Sequence, residues 1–146
     1  MHAPTHLLVG LLMLTLSSNA FAWDLPWKGS TGPHLNEATN QINKAVAVVN
    51  ATTGPISRET GDKVAIFYAR ALDEARLVDV DEMNNHCRGL GNHVRDDLIP
   101  ALTLLVAGLR NVDNTKLSMG QKLLNDWEDW HDAHLDQIKK GPGQCP

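Results

Sequence analysis

Two tryptophans and two histidines lie close together near the carboxyl end of the chain, in the segment WEDWHDAHLDQIKK of residues 127–140. Imidazole is the commonest metal ligand in proteins, and residues three apart on a helix are neighbours on its surface. His131 and His134 could therefore bind one metal ion together. They could equally be half-polar residues at the edge of an ordinary helical core, where ring bodies are buried and ring nitrogens find hydrogen bonds.

A helical wheel predicts which side of this segment faces the protein interior. At about 100° per residue, and with Trp127 at the centre of the buried side, both histidines fall on the inner arc. That arc also carries the apolar residues of the segment: Leu123, Leu124, Trp130, Leu135 and Ile138. The carboxylates are predicted to face water, and they form a candidate partner-binding face: Asp126, Glu128, Asp129, Asp132 and Asp136.

Further candidate metal ligands lie in the middle of the chain. His93 and Asp97 are four residues apart, and His86 lies on the same flank of its segment. With His131 and His134 they could form a transition-metal or haem site inside a helical bundle. Two features count against it: the wheel turns Glu128 of the only Glu-x-x-His pair outward, and a Cys-x-x-Cys-His haem motif is absent. We therefore favour the interpretation without a cofactor and keep the metal or haem site as the alternative.

The amino-terminal residues predict export. Leu7–Leu16 is an apolar run too short to span a bilayer, and Ala20-Phe21-Ala22 places small residues where a signal peptidase recognises them. We expect residues 1–22 to be a cleaved signal peptide, with no membrane insertion afterwards and a mature protein in the periplasm or secreted. The formal net charge of −4 gives no clustered basic surface for nucleic acid.

The only two cysteines, Cys87 and Cys145, are expected to form one disulfide in an oxidising compartment. The bond would hold the carboxyl-terminal tail, residues 141–146, against the middle of the domain. A redox-active pair is not indicated because the cysteines do not form a Cys-x-x-Cys motif.

Helical periodicity dominates residues 34–140, after an irregular lead-in at 23–33. Four amphipathic segments predict an all-α fold, most simply an antiparallel four-helix bundle. The third segment should begin at a capping box of Asp79 and Glu82 and be kinked or broken at Pro100, which lacks a backbone donor. No segment has the alternating pattern of a β-strand.

No motif for nucleophilic catalysis is present, so we expect a protein that works by binding and is not an enzyme. An exported helical domain with one disulfide fits an immunity or inhibitor protein that neutralises a toxin, or a periplasmic chaperone. The carboxylates of residues 126–136 favour a basic protein partner. They also fit a plain solvated helix face, and the sequence leaves both interpretations open.

Overall fold

The computed structural model describes residues 6–8, 31–140 and 145. Within them the chain is mostly helical, which confirms the predicted fold class. The helices are α1 (Thr31–Ala51), α2 (Arg58–Arg76), α3 (Val80–His86), α4 (Leu90–His93), α5 (Ile99–Asn111) and α6 (Asn114–Lys140). No helix of this described part has both the length and the apolar character needed to cross a membrane. Most of the predicted signal peptide, lead-in and tail lies outside the described residues.

The long helices pack in chain order, α1 on α2, α2 on α5 and α5 on α6. His34 Nδ1 and Glu74 Oε2, 2.7 Å apart, join the beginning of α1 to the end of α2, so these helices are antiparallel. The Arg58 guanidinium donates to the Arg110 carbonyl oxygen at 3.4 Å. This bond joins the beginning of α2 to the end of α5, so these helices are antiparallel as well. The predicted apolar stripes form the core, and among their buried members are Leu35, Ile42, Val64, Ala71, Met83, Leu98 and Leu105.

Side-chain caps determine where the helices begin. Ser57 Oγ accepts a hydrogen bond from the Thr60 amide at 3.2 Å and caps α2. Asp79 Oδ1 accepts from the Glu82 amide at 3.0 Å, as the capping box predicts. Glu82 does not return to the Asp79 amide as that motif implies. The Thr31 hydroxyl accepts from this amide at 3.3 Å and donates to Glu82 Oε2 at 2.8 Å, which ties the start of α1 to α3. Among the described residues, helix α1 begins at Thr31, within the predicted lead-in.

The predicted third helix is interrupted twice. The first interruption lies between α3 and α4, where Gly89 has a φ of 89° that a residue with a side chain rarely adopts. The second is a π-helical turn, Val94–Leu98, in which the Ile99 amide donates to the carbonyl oxygen of Val94, five residues back. Pro100 follows directly in the first turn of α5. Because Pro100 has no N–H to donate four residues back, the wider turn before it has a clear chemical cause.

One small feature departs from the prediction of no strands. Residues His6–Leu8 (β1) and Ile56–Ser57 (β2) pair as a short antiparallel ladder. Strand β2 follows Gly54, whose φ is 79°, and ends at the extended cap residue Ser57, so the turn between α1 and α2 leaves a short extended segment.

The predicted disulfide between Cys87 and Cys145 is present, with a Cα–Cα distance of 5.0 Å. The residue before it, His86, is buried, and its Nε2 hydrogen-bonds the Ile138 carbonyl oxygen at 3.0 Å. The end of α3 therefore holds both the last turn of α6 and Cys145.

Candidate functional site

Helix α6 carries most of the predicted site residues. Its buried face is wider than a single apolar stripe. Its most buried residues are Leu117, Gly120, Leu124, Trp127, Glu128, His131 and Ile138. Trp130 and His134 are only partly buried. At about 100° per residue, the most buried residues centre roughly 50° from Trp127, on the side of Glu128. The helix thus presents a buried flank toward Glu128 and a half-exposed flank toward Trp130.

The prediction that Glu128 faces water is wrong. Glu128 is only 8% exposed, and its Oε1 has no hydrogen-bond partner among the described residues. The wheel failed because it was centred on Trp127, whereas the inner face of α6 extends past Trp127 toward Glu128. Burial raises the pKa of Glu128 to about 8, and the negative charges of Asp132 and Asp129 add to the effect. The side chain is therefore mostly uncharged at neutral pH.

Tyr68, the only tyrosine of the chain, belongs to the same buried environment. It is fully buried on α2, and its hydroxyl has no hydrogen-bond partner in the described part of the chain. Burial raises the pKa of the Tyr68 hydroxyl, and the charge of Glu128 raises it further. The helical periodicity of the sequence predicted Tyr68 only as a core residue. The hydroxyl group of its side chain was the one feature of the sequence that could have indicated a polar role.

His131 lies in the core, 1% exposed, with its ring centroid 5.4 Å from that of Trp127. Burial lowers the pKa of His131 to about 4, against the opposing effect of Asp132, whose Oδ1 is 3.6 Å from Nδ1. The imidazole is therefore neutral at physiological pH. We refer to Tyr68, Glu128 and His131 as the buried polar group.

Three rings form a stack on the half-exposed flank. The centroid of Trp130 lies 4.3 Å from that of His93 and 4.2 Å from that of His134, with interplanar angles of 26° and 16°. His93 Nδ1 hydrogen-bonds Asp97 Oδ2 at 2.5 Å, and His134 Nδ1 hydrogen-bonds the Trp130 carbonyl oxygen at 2.7 Å. We call His93, Trp130 and His134 the ring stack. Each imidazole is held by a hydrogen bond and by the indole.

The remaining predicted carboxylates are exposed, and we refer to them as the acidic face: Asp126, Asp129, Asp132 and Asp136. They span three turns on the exposed side of α6. Lys122 Nζ lies 3.6 Å from Asp126 Oδ2, so the amino-terminal end of the face is partly neutralised.

The candidate metal ligands are not gathered at one place. His86 binds the Ile138 carbonyl oxygen, His93 and His134 stack on Trp130, and His131 lies beside Trp127. Among residues 6–8, 31–140 and 145, no three His, Cys, Asp or Glu side chains are grouped so that they could hold a metal ion.

Comparison of the chain with protein families, with curated proteins and with solved structures finds no match.

Proposed function

We propose that the mature chain is an exported, non-enzymatic binding protein that docks a basic partner protein through the acidic face and the ring stack. The observation that carries the proposal is their adjacency on one helix. Of the four exposed carboxylates, Asp126 and Asp129 lie within about 100° of the partly exposed Trp130 on the helical wheel, and the Trp130 ring is stacked on two imidazoles.

The ring stack has the properties of a binding anchor. Tryptophan dominates the energetics of many protein interfaces because it buries a large rigid surface at low entropic cost. Trp130 is held before binding by its contacts with His93 and His134, and His93 is held in turn by Asp97. Little freedom would remain to be lost on association.

The acidic face supplies long-range attraction. Carboxylates at the rim of an interface mainly accelerate association with a positively charged partner. The net charge of −4 has the same sign as the face, so the whole chain adds to that attraction.

A folded partner fits this surface better than a range of unfolded chains. The stack is fixed by defined contacts, whereas promiscuous binders use flexible, repacking surfaces. Of the two functions, we therefore propose that of an immunity or inhibitor protein, which neutralises an exported toxin, in preference to that of a periplasmic chaperone. In this proposal α1, α2, α5 and α6 act as an antiparallel four-helix bundle, and the Cys87–Cys145 bond suits the oxidising compartment.

The test compares two charge-reversed variants of the mature protein, immobilised and exposed to the exported proteins of its source cells. The variant Asp129→Lys, Asp132→Lys, Asp136→Lys should lose the partner, and so should Trp130→Ala. The matched control Glu59→Lys, Asp62→Lys, Asp73→Lys makes the same charge change at exposed positions of α2 and should retain it. Equal retention by both charge variants at low salt would contradict the proposal.

A metal-binding bundle is the second candidate, and one observation favours it. When Nδ1 of His93 carries the proton shared with Asp97, Nε2 keeps the lone pair that a metal requires, as in the carboxylate–histidine pairs of metal sites. Stoichiometric zinc, copper, iron or haem in protein purified without chelators, lost in the variant His93→Ala with His134→Ala, would establish it. The same metal content in wild type and variant would reject these ligands.

A further inference from the structure

We infer that docking of a cationic partner on Asp129 and Asp132 is coupled to ionisation of the carboxyl buried beneath them, Glu128, so that binding releases a proton to solvent. The inference rests on the proposed function and adds regulation by pH to it.

The geometry of α6 brings the three carboxyl groups together. Asp129 follows Glu128 directly, and Asp132 lies four residues on, where helical side chains are neighbours. Asp129 and Asp132 are exposed, whereas Glu128 is buried. An ion that contacts the exposed pair would therefore lie within one helical turn of the buried group.

In the described part of the chain, no positive charge is among the groups that shift the titration of Glu128. On α2 the facing titratable group is Tyr68, whose hydroxyl is fully buried. On α6 the charges that act on Glu128 are those of Asp132 and Asp129, and both oppose its ionisation. His93 and Asp97, on the side of α4 and the π-helical turn, belong to the other flank beside Trp130. A cation bound to Asp129 and Asp132 would offset the two negative charges that, besides burial, oppose ionisation of Glu128.

Linkage gives the size and direction of the effect. One like charge about 6 Å away at a protein surface shifts the titration midpoint of a carboxyl group by about 0.5 to 2 pH units. Neutralising the pair should lower the midpoint of Glu128 by about this amount, set mainly by Asp132, which has the larger effect of the two. By reciprocity, affinity for the cation should rise about 3- to 100-fold as the pH increases through the titration range of Glu128.

The coupling can be measured by carbon-detected NMR of the glutamate carboxyl groups in the mature protein, with Glu128→Gln identifying the signal. Asp129→Asn with Asp132→Asn should lower the titration midpoint of Glu128 by about 0.5 to 2 pH units. The matched control Asp126→Asn with Asp136→Asn removes the same charge from the same face, and it should leave the midpoint nearly unchanged.

A hexalysine peptide then serves as the cationic probe in weakly buffered solution near pH 8. Wild-type protein should release protons when the peptide binds, whereas Glu128→Gln should bind the peptide without release. An unchanged midpoint after neutralising Asp129 and Asp132, or peptide binding without proton release, would overturn the inference and leave the proposed function standing. Failure of the peptide to bind at low ionic strength would overturn the docking surface itself.

Discussion

The two flanks of α6 use similar residues in different ways. On the buried flank, His131 and Glu128 lie in the core, and the surrounding protein shifts both pKa values toward the uncharged form. On the half-exposed flank, His93 and His134 are held by hydrogen bonds and by stacking on Trp130. The difference arises from depth, because the residues of one flank are buried and those of the other reach solvent.

This comparison separates structural from interactive roles. Neutral side chains in the core add no charge for a partner to recognise, and they make stability depend on pH. The ring stack and acidic face remain accessible, so their removal should affect binding more than folding. Substitutions of Glu128, of the two tryptophans and of the exposed aspartates test this division.

The largest effect should come from Glu128→Gln, measured as the difference in unfolding free energy between variant and wild type. The pKa of Glu128 rises on folding from 4.5 to about 8, so the native state retains a proton that the unfolded chain has already released. The contribution of protonated Glu128 to the stability of the native state is therefore fully present below pH 4.5 and is lost as the pH rises to 8. At about 1.4 kcal/mol per unit, the advantage of the variant should grow by up to about 5 kcal/mol over this range.

The quantity to measure is the difference in unfolding free energy between Glu128→Gln and wild type. The wild-type value alone is not sufficient, because His131 changes stability with pH in the opposite direction to Glu128. Its pKa falls on folding from 6.5 to about 4, so its contribution is lost as the pH falls through this range. Between pH 4.5 and 6.5 the two effects offset each other in the wild type. Denaturant unfolding at several pH values gives the comparison, and a constant difference from pH 4.5 to 8 would show that Glu128 is solvated.

The two tryptophans should differ in their effect on stability. Trp127→Ala should reduce the free energy of unfolding by about 3 to 5 kcal/mol, since Trp127 is 4% exposed in the core. Trp130→Ala should cost clearly less, because its ring is partly exposed. Urea denaturation of both variants measures the difference. Equal losses would mean that the ring stack is as structural as the buried flank.

The ring stack itself should show a modest coupling energy. A double-mutant cycle with Trp130→Ala and His93→Ala should give about 0.5 to 1.5 kcal/mol, the range of stacked ring pairs. The cycle isolates the contact, whose centroid distance is 4.3 Å, from the burial of each ring. A value near zero would show that the rings are neighbours without mutual stabilisation.

The apolar pattern predicted the core well because burial follows a helical period. The stripe from Met83 through Leu90, Val94 and Leu98 is buried although the helix that was expected to carry it is broken twice. The interruption at Pro100 was predictable from its missing donor. The one at Gly89 was not, since Gly89 and Gly91 both weaken a helix and only the fold determines which of them adopts a left-handed backbone conformation.

The buried polar group could not be predicted from local pattern. Glu128 is buried by the way α6 packs against other helices, a relation that the residues of α6 alone do not contain. A wheel treats each helix alone, and its centre was chosen at Trp127. The charged type of Glu128 also favoured an exposed position, since unpaired carboxylates are rarely buried.

The smallest effects should come from single neutral substitutions on the acidic face, and they offer the finest distinction between the flanks. Asp132→Ala and Asp136→Ala should each change the free energy of unfolding by less than about 0.5 kcal/mol near pH 6, because both residues are exposed. At pH 8 and above, Asp132→Ala should become the more stable of the two. It removes a negative charge that opposes ionisation of Glu128, whereas Asp136 is not among the groups that act on it. Urea unfolding at both pH values measures the pair side by side. Identical pH dependence in the two variants would show that the exposed carboxylates and the buried one behave independently.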